Sequence, residues 1–448
     1  MNTFRPRGIF KVLKTRLIAL CKAMVLLALL FATRPARPYS VQTHESLIDL
    51  AWKESIRPLL VKRFPGLTEV QLREARAYAY GGCAIQDLGY YPFANGFFSD
   101  LTHYVRSGDF VLSLLHNAQT ADELAFAIGA LSHYIGDSIG HGGAVNYSVA
   151  IEFTKLEKEY GPMVNYAQNP HAHVRVEFAF DINQLSKHHF APSDYLEHVG
   201  LNIPGQLLRK AFFETYGLNL PGLIGTRNAA LKTYGFAVRR FLPAIARAET
   251  ILHKFPSDMP SEAGDQLAKA LRQAEAENGW EQYRKNPGVG SHVLAGLIFI
   301  LPKIGTLALL KIRGPNPRTE DLYINSVNRS ITALRLVLAN FDSISTYVPN
   351  RDLDTGEKVK PGGYKLTDRT YAKLLKDLTK HPERRIPSRL KQDLIEYYAD
   401  PLAPITTKKD PEKWAEVQSN LKVLQSMSTV GDSKRSHNAV LNGGNAYP

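Results

Sequence analysis

Cysteine is almost absent from this chain, with two in 448 residues, Cys21 and Cys83. Cys21 falls in a segment that reads as an export signal, so Cys83 would stand alone in the processed protein and no intramolecular disulfide could staple it. Thiolate metal clusters are excluded on the same count. Any bound ion must be held by imidazole and carboxylate, a donor set that suits zinc. Strand-like alternation is missing as well, which predicts an all-α fold. Internal repeats, low-complexity blocks and a basic stripe are also lacking. The formal charge of +13 is concentrated in residues 1–37, which hold eight Lys or Arg and no acid, leaving +5 for the rest. That excess is too mild for binding through many phosphate contacts, and no nucleic-acid partner is expected.

What is present begins with Ala23–Ala32, AMVLLALLFA, ten apolar residues behind the basic stretch. This is the layout of a secretory signal, and ten residues are too few to span a bilayer. Residues 1–36 therefore predict export to the periplasm or medium, with a retained signal anchor as the alternative. Residues 37–255 predict a helical domain, 256–427 a second helical region, and 428–448, ending GGNAYP, a disordered tail. His292–Leu310 is the most apolar run outside the signal. Pro302 and Lys303 split it, and a buried hairpin and a membrane-touching element both fit.

Thr43–Arg57 reads as a helix with Thr43 at its N-cap and Pro58 beyond its end. Thr68–Tyr80 reads as a second, stopped by Gly81 and Gly82. Cys83–Ser99 reads as an ordered loop whose Tyr90, Tyr91, Phe93, Phe97 and Phe98 need burial. A helix carrying His103 follows, broken at Gly108. Thr120 and Glu123 spell a capping box before LAFAIGALSHYIGD, whose Leu124, Ile128, Leu131 and Ile135 face the core. Gly140, Gly142 and Gly143 around His141 predict that this helix ends there and that backbone or ligand approaches closely. Asn169 and Pro170 start the helix of HAHVRVEFAFDINQL. Further on, Ser261–Glu277 reads as a solvent-facing helix, Asp321–Asn340 as amphipathic, Pro349–Gly363 as a turn-rich loop and Tyr371–Tyr398 as helical.

His133, Asp137 and His141 recur every fourth residue, so a helix projects all three from nearly one face. His173 and Glu177 repeat the same spacing. A polar stripe facing water would explain either set alone. With His44, Asp87 and His103 they make five histidines and three carboxylates within the first predicted domain, more than solvated faces usually produce. Neutral imidazole and carboxylate bind zinc, and carboxylates can bridge two ions. His116, His171, His188, His189, His198 and His253 follow no pattern and read as surface or capping residues.

Taken in order, YSVQTH at His44, D-x-G-Y at Asp87, His103-Tyr104 ahead of Gly108-Asp109-Phe110, H-x-x-x-D-x-x-x-H from His133, and H-x-x-x-E from His173 form one pattern. Over about residues 39–177 it resembles the zinc-dependent phospholipase C family, which includes bacterial phospholipase C and the catalytic domain of glycosylphosphatidylinositol-specific phospholipase D. The resemblance implies a multi-helix bundle over residues 37–255 with a helical C-terminal extension, and two or three zinc ions between the helices. It also implies hydrolysis of phosphodiester bonds, with a phospholipid or membrane surface as substrate. Asp87, His103, His133 and Asp137 would hold one ion and His141, His173 and Glu177 another, with Asp137 also reaching a third near His44. Asp87 and Asp137 would be the catalytic carboxylates, Asp87 accepting a proton and Asp137 bridging ions.

This chain departs from the bacterial enzymes twice. They complete one ion with the amine and carbonyl of an N-terminal tryptophan, where the residue near the matching place here is Tyr39. They also use a longer gap than the four residues from Asp137 to His141, and the shorter gap resembles the phospholipase D branch. C-type and D-type cleavage therefore both stay open. The competing functions are a single-strand-specific zinc nuclease of the related fungal type and a zinc-stabilised, non-catalytic membrane-docking module. The rings from Tyr90 to Phe98, with Tyr104 and Tyr134, fit an apolar mouth for lipid or part of the core.

Overall fold

The computed structural model describes residues 41–91, 93–220, 227–252, 262–284, 314–344 and 347–431. Residues 1–36, with the expected signal, and the apolar run His292–Leu310 lie outside the described residues. The fold is all-α. Strand pairing among the described residues is confined to a two-residue parallel pair, Ile386–Pro387 with Thr429–Val430, and one antiparallel bridge between Arg351 and Lys358. No helix among the described residues is long and apolar enough to cross a membrane.

The organising element is the helix Ala121–Gly140. Thr120 caps it by accepting from the Glu123 amide at 3.2 Å, while the Glu123 carboxylate reaches past Thr120 to the Gln119 amide at 2.9 Å. From Leu124 to Asp137 the helix is buried on every side, the signature of an element inside the core rather than on its surface. Glu69–Ile85 packs along it most extensively, and Pro317–Ala339, Ser107–Asn117 and Val41–Ala51 cover its other faces. The two polar turns at its C-terminal end are thereby buried among helices from both ends of the chain.

Several boundaries differ from expectation, each for a packing reason. Gly81 and Gly82 do not stop their helix, which runs from the Thr68 cap to Ile85. A Cβ on Gly82 would collide with the Phe126 carbonyl and one on Gly129 with the Ala79 carbonyl, so these glycines let two helix backbones touch. The first described helix, Val41–Ala51, already includes Thr43, which therefore does not cap it. The Asp181 carboxylate, from the helix Pro170–Ser186, instead accepts from the Gln42 and Thr43 amides at 3.0 and 3.3 Å. Pro58 does not end the run. A π-helical turn, Trp52–Ile56, leads into Arg57–Arg63, where Pro58 occupies the first turn and its missing N–H is tolerated. The break after His103 comes at Arg106, in the left-handed region at φ 49°, and Gly108 lies inside the next helix. Glu262–Asn278 is not purely solvent-facing, since it buries Leu267, Leu271 and Ala274. Residues 371–398 divide into Lys365–Thr379 and Ser388–Tyr397.

Candidate metal centre

All eight sequence-predicted donors come together in the core, none more than 3 % exposed. His44 arrives from the middle of Val41–Ala51, Asp87 from the turn after Glu69–Ile85, His103 from the last turn of Gly96–Tyr104, and His133 and Asp137 from the central helix. The Asp137 carboxylate is their hub. Its Oδ1 lies 3.2 Å from His44 Nε2, and its Oδ2 lies 3.1 Å from His133 Nε2 and 3.4 Å from His103 Nε2. Asp87 Oδ1 approaches His103 Nε2 at 3.3 Å, and the His44 and His133 rings stack with centroids 4.0 Å apart.

A second group forms one turn further along. The central helix does not end at its glycines but passes through a π-helical turn, His141–Val145, into Asn146–Glu152. π-helical turns of this kind favour functional positions because they shift side chains out of α register. His141 opens the turn, and its Nε2 lies 3.1 Å from Glu177 Oε1. His173 Nε2 reaches the same oxygen at 3.1 Å along its own helix, whose start is capped by Asn169 with Pro170 in the first turn. The i,i+4 spacing of His173 and Glu177 is therefore used within one helix, whereas His133, Asp137 and His141 divide between two groups.

Backbone carbonyls orient three of the imidazoles. Ser99 O accepts from His103 Nδ1 at 2.8 Å, Cys83 O from His133 Nδ1 at 2.8 Å and Leu353 O from His141 Nδ1 at 2.7 Å. A carbonyl can only accept, so each Nδ1 carries a proton and each ring turns its Nε2 toward the carboxylates. This is the outer-shell arrangement that metal-binding histidines use. Both Asp137 oxygens, Asp87 Oδ1, His133 Nε2 and His173 Nδ1 are buried without a hydrogen bond in the protein. Orphaned polar atoms at this density are rare in a core. Three triplets, His44/His133/Asp137, Asp87/His103/His133 and His141/His173/Glu177, each bring their donor atoms within 4.8 Å of one another. Nitrogen and carboxylate oxygen in such triplets fit zinc.

The electrostatics agree with the geometry. Burial alone would lift Asp137, but His133, His141 and His44 hold it well below the usual carboxylate range. Burial alone would depress His103, and the Asp137 and Asp87 carboxylates outweigh it and raise the ring well above its ordinary value. Burial pushes His173 down to about 4 and Glu177 up to about 8. A cation entering here would displace protons from the raised imidazoles and from Glu177, so its binding would release protons.

Of the rings considered for a lipid mouth, Tyr91, Phe97, Phe98, Tyr104 and Tyr134 are core residues. Tyr104 donates to Asp354 Oδ2 and Tyr134 to the Pro349 carbonyl. Tyr90 is half-buried with its ring 5.5 Å from His103, and Phe93 is exposed at a positive φ of 70°. His116, His171, His188 and His198 are exposed and His189 is half-buried, while His253 lies outside the described residues. Leu353 and Asn146 were not singled out from the sequence. A carbonyl donated by a distant loop has no local sequence signal.

One protein-family model, described as zinc dependent phospholipase C, matches residues 43–218. No curated protein and no solved structure matches the chain.

Proposed function

We propose that the chain is an exported zinc-dependent phosphodiesterase that hydrolyses phospholipids, a reading supported by the match of residues 43–218 to the family model described as zinc dependent phospholipase C. The observation that carries this is the convergence of eight buried nitrogen and oxygen donors, three of whose imidazoles are aimed from behind by backbone carbonyls. Asp87, His103 and His133 would hold one zinc ion and His141, His173 and Glu177 another. His44 and Asp137 share His133 with the first triplet and would hold a third ion or bridge to it.

Bound zinc lowers the pKa of water from about 15.7 toward about 7 and stabilises charge on a phosphoryl group. The chain's own residues contribute position and charge. The Ser99 and Cys83 carbonyls lock the His103 and His133 rings through Nδ1. Asp137 keeps its negative charge among His133, His141 and His44. Asp87 Oδ1, 3.3 Å from His103 Nε2 and without a hydrogen bond in the protein, would take up the proton released by the attacking water. Burial of the whole set strengthens each of these charge interactions relative to bulk water. Export rests on the basic-then-apolar order of residues 1–36 alone.

The test is product identification. Zinc-loaded protein on phosphatidylcholine vesicles should yield diacylglycerol and phosphocholine if the C-type bond is cut, or phosphatidic acid and choline if the D-type bond is cut. A chelator should stop the reaction and added zinc restore it. Hydrolysis of single-stranded DNA without phospholipid turnover would replace this function with a nuclease. Tight zinc binding with neither activity would replace it with a non-catalytic module.

A further inference from the structure

The loop over residues 347–364 lies outside the matched segment, yet it is fastened to the residues around both donor groups, most directly to His141 of the second. The Leu353 amide donates to the His103 carbonyl at 3.1 Å, and its carbonyl accepts from His141 Nδ1 at 2.7 Å. Asn146, at the end of the π-helical turn, donates to the Asp354 carbonyl at 2.9 Å, and Tyr134 donates to the Pro349 carbonyl at 2.6 Å. Two glycines admit this contact. A Cβ on Gly142 would sit 2.6 Å from the Thr355 carbonyl, and Gly356, at φ +74°, rests directly on the Ser138 carbonyl. The glycines after His141 thus make room for another stretch of backbone.

The loop brings a buried charge with it. Asp354 Oδ2 accepts from the Tyr104 hydroxyl at 2.9 Å and the Tyr364 hydroxyl at 2.6 Å. Asp352, also buried, takes the Asp354 amide and the Thr367 hydroxyl on its two oxygens. Among the described residues neither acid forms an ion pair with Lys or Arg. Burial, reinforced by Asp354, pushes Asp352 well above the usual carboxylate range, and the field of Asp354 also acts on the His173 ring. A buried carboxylate without a cationic partner is costly, and a divalent cation nearby would offset it.

We infer that residues 347–364 are a built part of the metal centre. The Leu353 carbonyl fixes the His141 ring, and the Asp354 carboxylate, held by Tyr104 and Tyr364, supplies the negative charge that draws a divalent cation to His141, His173 and Glu177. Asp354 is a positioning residue here, and the inference rests on the metal function proposed above.

The test uses the full chain, with zinc affinity and stoichiometry measured against a competing chelator and melting followed with and without zinc. Asp354→Asn should weaken one zinc site about 10- to 100-fold, the cost usual for an outer-shell partner, and leave the remaining zinc bound. In chelator the same variant should melt no lower than the parent, because a buried charge has been removed. With zinc its gain in Tm should be smaller than the parent's. A merely structural role would lower Tm in both conditions. Gly356→Ala, which forces the loop off Ser138, should weaken the same site. In a Glu177→Ala background, adding Asp354→Asn should change zinc binding no further. Parent-like zinc binding by both loop variants, or a full Asp354→Asn effect in the Glu177→Ala background, would overturn the inference alone. A parent protein that binds no zinc would remove the proposed function and this inference together.

Discussion

The two donor groups sit one helical turn apart and draw their support from different parts of the chain. Around Asp137, both aiming carbonyls, Ser99 O and Cys83 O, come from the segment that also supplies the donors. Around Glu177 the aiming carbonyl is Leu353 O, 212 residues from the histidine it holds. The donors and the aiming carbonyls of the first group therefore all lie within the matched segment, whereas His141 in the second is aimed by a loop from outside it, a loop that also holds the His103 backbone carbonyl. Chemistry that needs both groups makes the C-terminal region part of the centre and not an appendage.

The largest effect that would break this comparison is expected at Asp137, which lies within 3.4 Å of three imidazoles. Asp137→Asn should remove zinc from the first group and lower hydrolysis by more than the ~100-fold typical of outer-shell changes. A variant keeping full zinc content and activity would show that Asp137 is not the hub. Next, His173→Ala and Glu177→Ala should each release zinc from the second group, with little change in far-UV helicity. Equal metal content in variant and parent would take that pair out of the site.

A third change separates scaffold from metal. Arg76 and Asp49 form a buried ion pair, with Tyr80 donating to the same carboxylate. Removing one partner of a buried pair costs about 3–5 kcal/mol, so Arg76→Met should lower Tm sharply while zinc stoichiometry stays at the parental value. Coupled loss of zinc would mean that the scaffold and the centre are not separable.

The smallest effect concerns another contact between the two ends of the chain, where Asp393 lies near Arg106 and Asp109 and accepts from Tyr371 at 3.2 Å. Burial raises Asp393 to about 6, with Arg106 opposing and Asp109 assisting. The folded pKa is above the unfolded value of about 3.9, so the native state holds this proton more tightly. Its contribution to stability is complete below about pH 4 and is lost as pH rises through about 6. Asp393→Asn should flatten that fall in a pH series of denaturant midpoints, and an unchanged slope would reassign the shift.

Legibility in the sequence divides along the same line as the two groups. Fold class was readable from helical periodicity, and Thr120 and Asn169 mark their helix starts as the capping rules predict. The His133/Asp137 and His173/Glu177 pairs were readable because i,i+4 spacing on a helix is a local property. Gly81 and Gly82 read as helix stops but let two backbones touch, and at Gly142 the expected helix end is absent while the expected close approach of backbone is present; glycine has both uses, and only packing distinguishes them. Thr43 reads as a cap, but a carboxylate from a distant helix accepts from the Gln42 and Thr43 amides instead.

By itself, then, the sequence determined which residue types could bind a metal, which pairs share a helix face, and that no cluster of cysteine thiolates could build the site. Those properties follow from composition and from the 3.6-residue turn. The family resemblance already divided His133 and Asp137 from His141; only the tertiary structure decided that Gly82 and Gly129 let two helices touch, and that a loop near residue 353 stands behind the second group. Both depend on how distant segments pack, and neither a backbone carbonyl nor the space beside a glycine leaves a mark in the order of side chains.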